Sequence, residues 1–155
     1  MKKKNGFTLV ELLAVIVILA IILVIAIPQI IKTIDAARLS AFRSSAKMLL
    51  KTAEKDFLVQ QTLDQYHNGG KYKGLTGDNS CERFAKLTST DYEDCKVVLD
   101  ANGVATLSLT GAPNSKFNTY GCNGVKEADV DAKDSATNKC TKGNYAAAKA
   151  IIDAA

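Results

Sequence analysis

The chain is short of the residues that do chemistry. Only one of its 155 residues is histidine, His67. No two cysteines are spaced C-x-x-C, and no His–Cys spacing suits zinc. No serine, cysteine or carboxylate pair has the neighbouring base that catalysis requires. No enzyme activity, no metal and no cofactor are therefore expected. Excess charge is also missing. Lys and Arg number 20 against 16 Asp and Glu, and three of those lysines, Lys2, Lys3 and Lys4, precede everything else. Without them 17 cations face 16 anions, a net of +1. A surface so near neutrality gives no electrostatic case for wrapping nucleic acid. Helix breakers are rare in the first half, where Pro28 alone interrupts the stretch between Gly6 and Gly69-Gly70.

What is present is a long oily run. Leu12 to Ile27 is 16 consecutive apolar residues, and with its flanks the segment 7–31 reaches 25 residues. As a helix it spans roughly 37 Å at about 1.5 Å per residue. That is enough to cross a hydrocarbon core of about 30 Å, with the lysines on the cytoplasmic side. A secretory signal is cut after its apolar core at a small-x-small site. This run ends "LVIAIPQIIKTIDAA" with no suitable site. Gly6, just before the run, offers an unhindered bond to Phe7 and would leave the whole run on the mature chain. Glu11 lies inside the run, where a bilayer charge costs on the order of 3 kcal/mol on insertion scales. Near the cytoplasmic end it can snorkel to water. If the chain is cut at Gly6, the new Phe7 amine of a neighbouring copy could instead pair with it, and in low dielectric such pairing selects one register.

The stretch "KKKNGFTLVELLAVIVILAIILVIAIPQI" resembles the N-terminus of type IV prepilins and the related pseudopilins. The resemblance covers about the first 30 residues: a short basic leader, Gly6 at the cut, Phe7 as first mature residue, Thr8-Leu9-Val10-Glu11-Leu12, the apolar helix and Pro28. It implies that a prepilin peptidase cleaves between Gly6 and Phe7 and N-methylates Phe7. Glu11 would be the assembly glutamate, with Phe7 and Thr8 beside it. It also implies a pilus assembly platform as partner, a membrane-held precursor, and a homopolymeric helical filament outside the cell. Some pilins lose helicity near the proline on assembly.

Beyond Ile31 the three-and-four spacing continues through Ile34, Ala37, Ala41, Ser45, Met48, Leu49, Ala53, Phe57 and, more loosely, Leu63, with charges between them. One nearly continuous helix from Phe7 to about Tyr66 follows, roughly 90 Å long. Pro28 removes a hydrogen bond and crowds the preceding turn, so a kink or local melting is expected at residues 24–28. Met48, Leu49, Ala53 and Phe57 are read as the seam against the rest of the chain. Residues 67–155 are a small domain that needs help to be stable. "SCERFAKL" reads as a short helix capped by Ser80. "KVVLDANGVATLSLT" reads as a hairpin, with strands Lys96–Asp100 and Val104–Thr110 around Asn102-Gly103. "KFNTYGC" is a further strand after a turn at Pro113-Asn114, and "NYAAAKAIIDAA" is a helix capped by Asn144. The expected fold class is α+β: a long N-terminal helix packed on an antiparallel sheet of three or four strands, pilin-like, with a short C-terminal helix.

Four cysteines, Cys81, Cys95, Cys122 and Cys140, follow the membrane-targeting segment, which points to disulfides in an exported domain. Of three possible pairings, Cys81–Cys95 with Cys122–Cys140 closes the shortest loops, at about 3 kcal/mol each on the chain-entropy model. Cys122 to Cys140 also resembles the C-terminal disulfide that bounds a variable surface region in pilins. Asp129, Asp131 and Asp134 form D-x-D-x-x-D but lack the glycine and terminal glutamate of a calcium loop, so a solvated acidic loop is the better reading. Lys71, Tyr72 and Lys73 form a basic-aromatic cluster that DNA could touch, although solvated loops commonly look the same. The expected division is a leader 1–6, a membrane or filament-core helix half 7–31, an amphipathic half 32–66 and an exported head 67–155. The expected function is a structural subunit of a type IV pilus-like filament. The alternatives are a minor pilin or type II secretion pseudopilin, a competence pilin taking up DNA, and an anchored monomer that binds a ligand.

Overall fold

Residues Leu9–His67 form a single helix, α1, in the computed structural model, which describes residues 7–67, 77–81, 90–131 and 139–154. With no glycine inside it, the ladder runs through Pro28, and residues 24–28 stay helical in the single chain. Hydroxyls within α1 turn back onto the helix: Thr33, Ser45, Thr52 and Thr62 each donate to the carbonyl four residues earlier, at 2.8–3.2 Å. The chain divides into two compact units, 1–37 and 38–155.

In the first unit the large apolar side chains from Phe7 to Ile34 are all solvent-facing, between 44 and 82 % exposed. In the second unit α1 buries Phe42, Ala46, Leu49, Leu50, Ala53 and Phe57. This corrects the expected seam. Leu49, Ala53 and Phe57 are in it, but Met48 is 52 % exposed and Leu63 48 %. At 100° per residue Met48 lies well round the helix from Phe42 and Ala46. The sheet selects the side that carries the aromatic ring. Phe42 meets the rings of Tyr92, Phe117 and Tyr120 at centroid distances of 5.9, 5.3 and 5.7 Å.

The sheet has five strands in the order β1 (Gly77–Ser80), β2 (Tyr92–Leu99), β3 (Ala105–Gly111), β4 (Tyr120–Val125) and β5 (Cys140–Lys142). Every neighbouring pair is antiparallel. Both edge strands escaped the sequence because they are three or four residues long and carry no apolar alternation. Ser80 belongs to β1, and residues 82–87 of the expected "SCERFAKL" helix lie outside the described residues. The hairpin is where it was expected, but β2 begins four residues earlier, at Tyr92. Its turn is built by Asp100, whose carboxylate accepts from the amides of Asn102 and Val104, both at 2.9 Å. Gly103 has φ +81°, and a Cβ there would lie 2.4 Å from a Phe57 ring carbon. The turn is thereby seated on α1. The strand expected from Lys116 starts instead at Tyr120. Ser115 folds the preceding residues into turns by donating to the carbonyls of Asp91 and Ala112 and accepting from the Phe117 amide.

Two disulfides, Cys81–Cys95 and Cys122–Cys140, tie the edge-strand regions inward, and the second joins directly opposed residues of β4 and β5. Side chains of α1 reach the same region. The Arg43 Nε donates to the Cys140 carbonyl at 3.0 Å, Lys47 pairs with Asp131, and Lys51 pairs with Glu127 at 3.1 Å. Ala105, Leu107 and Leu109 face the core beside α1, so Ser108 and Thr110 face the other way. On that second face lies α2 (Tyr145–Asp153). Gly121, opposite Thr110, lets it approach closely, since a Cβ there would meet the Asn144 carbonyl oxygen at 2.5 Å. Asn144 stands at the start of α2, but its side chain does not cap the helix. Its amide nitrogen donates instead to the Asn123 side-chain oxygen at 2.6 Å and the Lys139 carbonyl at 2.8 Å.

Candidate functional site

The first helical turn explains its own sequence. Thr8 immediately precedes the helix, and Glu11 is three residues on. The Thr8 amide and the Thr8 hydroxyl both donate to Glu11 Oε2, each at 2.8 Å. In return the Glu11 amide donates to Thr8 Oγ1 at 3.3 Å. This reciprocal pattern is a capping box, which satisfies amides that the helix itself leaves open. From sequence, Glu11 reads as a carboxylate that snorkels to water or pairs with a neighbouring copy, and neither reading includes Thr8 as its partner. The T-x-x-E spacing before an apolar run was the signal that would have revealed its local partner. A carboxylate here also faces the positive end of the helix dipole.

The geometry makes this end polar at its tip and apolar behind. Phe7 is 82 % exposed, and Leu9, Val10, Leu12 and Leu13 follow it in the open. α1 is long and apolar enough to cross a membrane by length and composition. Together with the motif described below, that fits membrane insertion of the precursor. Thr8 and Glu11 are thus brought together, with Phe7 adjoining them. Gly6 lies outside the described residues.

The other expected positions fall elsewhere. Asp129 closes a 3-10 turn (Glu127–Asp129), and Asp131 is paired with Lys47; Asp134 lies outside the described residues. Among the described residues no group of three or more His, Cys, Asp or Glu side chains could hold a metal ion. Lys71, Tyr72 and Lys73 are outside the described residues, and His67 is the last residue of α1. In the head, burial pushes the Tyr92 phenol above its ordinary range, against a hydrogen bond with Ser45 that lowers it.

Comparison with known proteins adds one match. No curated protein and no solved structure matches the chain. A model of the prokaryotic N-terminal methylation motif matches residues 1–27. That stretch contains Gly6, Phe7 and the Thr8–Glu11 box and most of the exposed apolar helix. The motif implies processing by a prepilin peptidase and entry into pilus assembly. At its N-terminus, therefore, the chain carries the signature of the type IV pilins and their prepilins.

Proposed function

We infer that the protein is a structural subunit of a type IV pilus-like surface filament. The methylation motif across residues 1–27 carries this reading. After cleavage between Gly6 and Phe7 the mature chain begins at a methylated Phe7. Residues 7–31 leave the membrane to pack with the same segments of other copies, and residues 67–155 cover them. The exposed apolar residues support this role, since burial is worth about 25 cal/mol per Å² of apolar surface and the single chain provides none for Phe7 to Ile34. Glu11 then has two roles in sequence. It caps its own helix through Thr8, and with its second oxygen it receives the Phe7 amine of the neighbouring copy. Pro28 is the place where the helix bends or opens to allow repacking.

Mass spectrometry of material sheared from cells should find the mature chain starting at methylated Phe7. Glu11→Ala should be cut and methylated normally but yield few filaments. A chain that keeps Met1, or normal filament yield from Glu11→Ala, would sink the reading. A minor pilin or secretion pseudopilin would be scarce in the sheared fraction, and a competence pilin would show itself by lost transformation on deletion.

A further inference from the structure

The docking of α2 depends on an irregularity in β2. The register between β2 and β3 passes from Tyr92 opposite Gly111 to Cys95 opposite Leu109. Two residues, Glu93 and Asp94, therefore stand against the single residue Thr110, which is a β-bulge. Fully buried Thr110 holds the bulge: its hydroxyl accepts from the Asp94 amide at 3.0 Å and donates to the Asp94 carbonyl at 3.2 Å. In a regular strand consecutive side chains point to opposite faces. Here both carboxylates reach the same helix. The Tyr145 hydroxyl donates to Glu93, and the Lys149 ammonium binds Asp94. Tyr145 and Lys149 are one helical turn apart, so a single face of α2 meets both acids.

The body of this helix packs on β3 and β4, but its apolar burial is thin. Ala148 is its one buried residue. It makes no side-chain cap at its start, carries no acid in the first turn and no base in the last. Nine residues are too few for a helix to persist alone in water. The sheet beneath it offers Ser108, Thr110 and Gly121 rather than large apolar groups. Ser108 is already satisfied by the Gly124 amide at 3.1 Å. Ahead of α2 stands Gly143, with φ +87° and open space where a Cβ would be. The Asn144 side chain then fixes the first residue to β4 and to Lys139. The segment thus has an anchor at its near end and a clamp along its body.

We propose that α2 is a flap, anchored at Asn144 and latched to the sheet by the bulge-aimed carboxylates of Glu93 and Asp94, whose body lifts away beyond the anchor while the five-stranded sheet stays folded. Opening uncovers Ser108 and Thr110, while Gly121 stays beneath the anchored Asn144. The charged and titratable groups at the latch are Glu93, Asp94, Tyr145, Lys149 and Asp153, the last 3.9 Å from Lys149. None of them belongs to the apolar core that α1 shares with β2–β4.

Hydrogen exchange read by mass spectrometry on the full chain in detergent micelles tests this. In Glu93→Ala/Asp94→Ala, amides of residues 148–153 should exchange roughly tenfold faster than in the parent, as loss of two exposed polar pairs allows. Amides of β3 should keep their parent rates. A second variant, Lys149→Met, should show the same pattern more weakly, because the Tyr145 contact survives. Unchanged exchange in α2 would overturn the proposal, since the latch would then hold nothing. Equal acceleration of α2 and β3 would overturn it too, because α2 would then open only with the whole sheet.

Discussion

At the scale of single residues, Thr8 and Glu11 decide how an oily helix can begin. A carboxylate in an apolar run is costly alone, but here it accepts two hydrogen bonds at 2.8 Å from the residue three before it. Helix caps of this kind are worth about 1 kcal/mol. Thr8→Val removes the hydroxyl donor and acceptor but leaves the Thr8 amide contact to Glu11. The expected outcome is frayed amides over the first turn, normal cleavage and a filament yield between the parent's and that of Glu11→Ala. Thr8→Ser, which keeps the hydroxyl, should restore the yield. Hydrogen exchange in micelles and sheared-fraction yield check both, and a Thr8→Val chain indistinguishable from the parent would remove the cap from the argument.

At the scale of elements, α2 shows how local chemistry substitutes for a core. Its latch has a pH dependence whose sign follows from its groups. The hydrogen bond to Glu93, burial and the Glu93 charge hold the Tyr145 phenol above its ordinary 10.0. The hydrogen bond to Asp94 holds the Lys149 ammonium above its ordinary 10.5, against a smaller effect of burial. Both raised groups favour the latched state while protonated. Their contribution is complete below those ordinary values and is lost as pH rises through the raised ones. In a carbon-13-labelled chain, the Ala148 methyl should move to its unfolded shift on alkaline titration before the Leu107 and Leu109 methyls move. Tyr145→Phe, which lacks the hydrogen bond to Glu93 at every pH, should show Ala148 already partly shifted near neutrality and a smaller movement on alkaline titration. Movement of all three methyls together in the parent would contradict an independent element.

For the whole molecule, the two units rest on different physics. Residues 7–37 expose their large apolar side chains and need lipid or other copies, while 38–155 closes a core of its own around Phe42, Leu49, Leu107 and Tyr120. The Cys81–Cys95 and Cys122–Cys140 bonds lie wholly in the second unit. Reduction should therefore destabilise it by about 3 kcal/mol per bond. Near-ultraviolet circular dichroism in micelles should show its melting fall by several degrees, while far-ultraviolet helicity from the apolar half persists. An unmoved transition would mean the bonds carry no stability. Much of this was legible in residue order: the 16-residue run, the Asn102-Gly103 turn and a stretch from Gly6 to Gly69 interrupted by Pro28 alone are local features, and local features set helix span and hairpin position. The rest depended on packing. The choice of Phe42 over Met48 needed a sheet with aromatic rings to receive it. β1 and β5 are too short to show a period and exist through their neighbours' hydrogen bonds. Glu93 and Asp94 meet α2 because a bulge closed by Thr110, 16 residues away, turns both one way. Periodicity is written along the chain, so sequence alone determined the long helix and its oily half. Which face is buried and where an extra residue bulges depend on contacts between distant segments, and only the tertiary structure decided those.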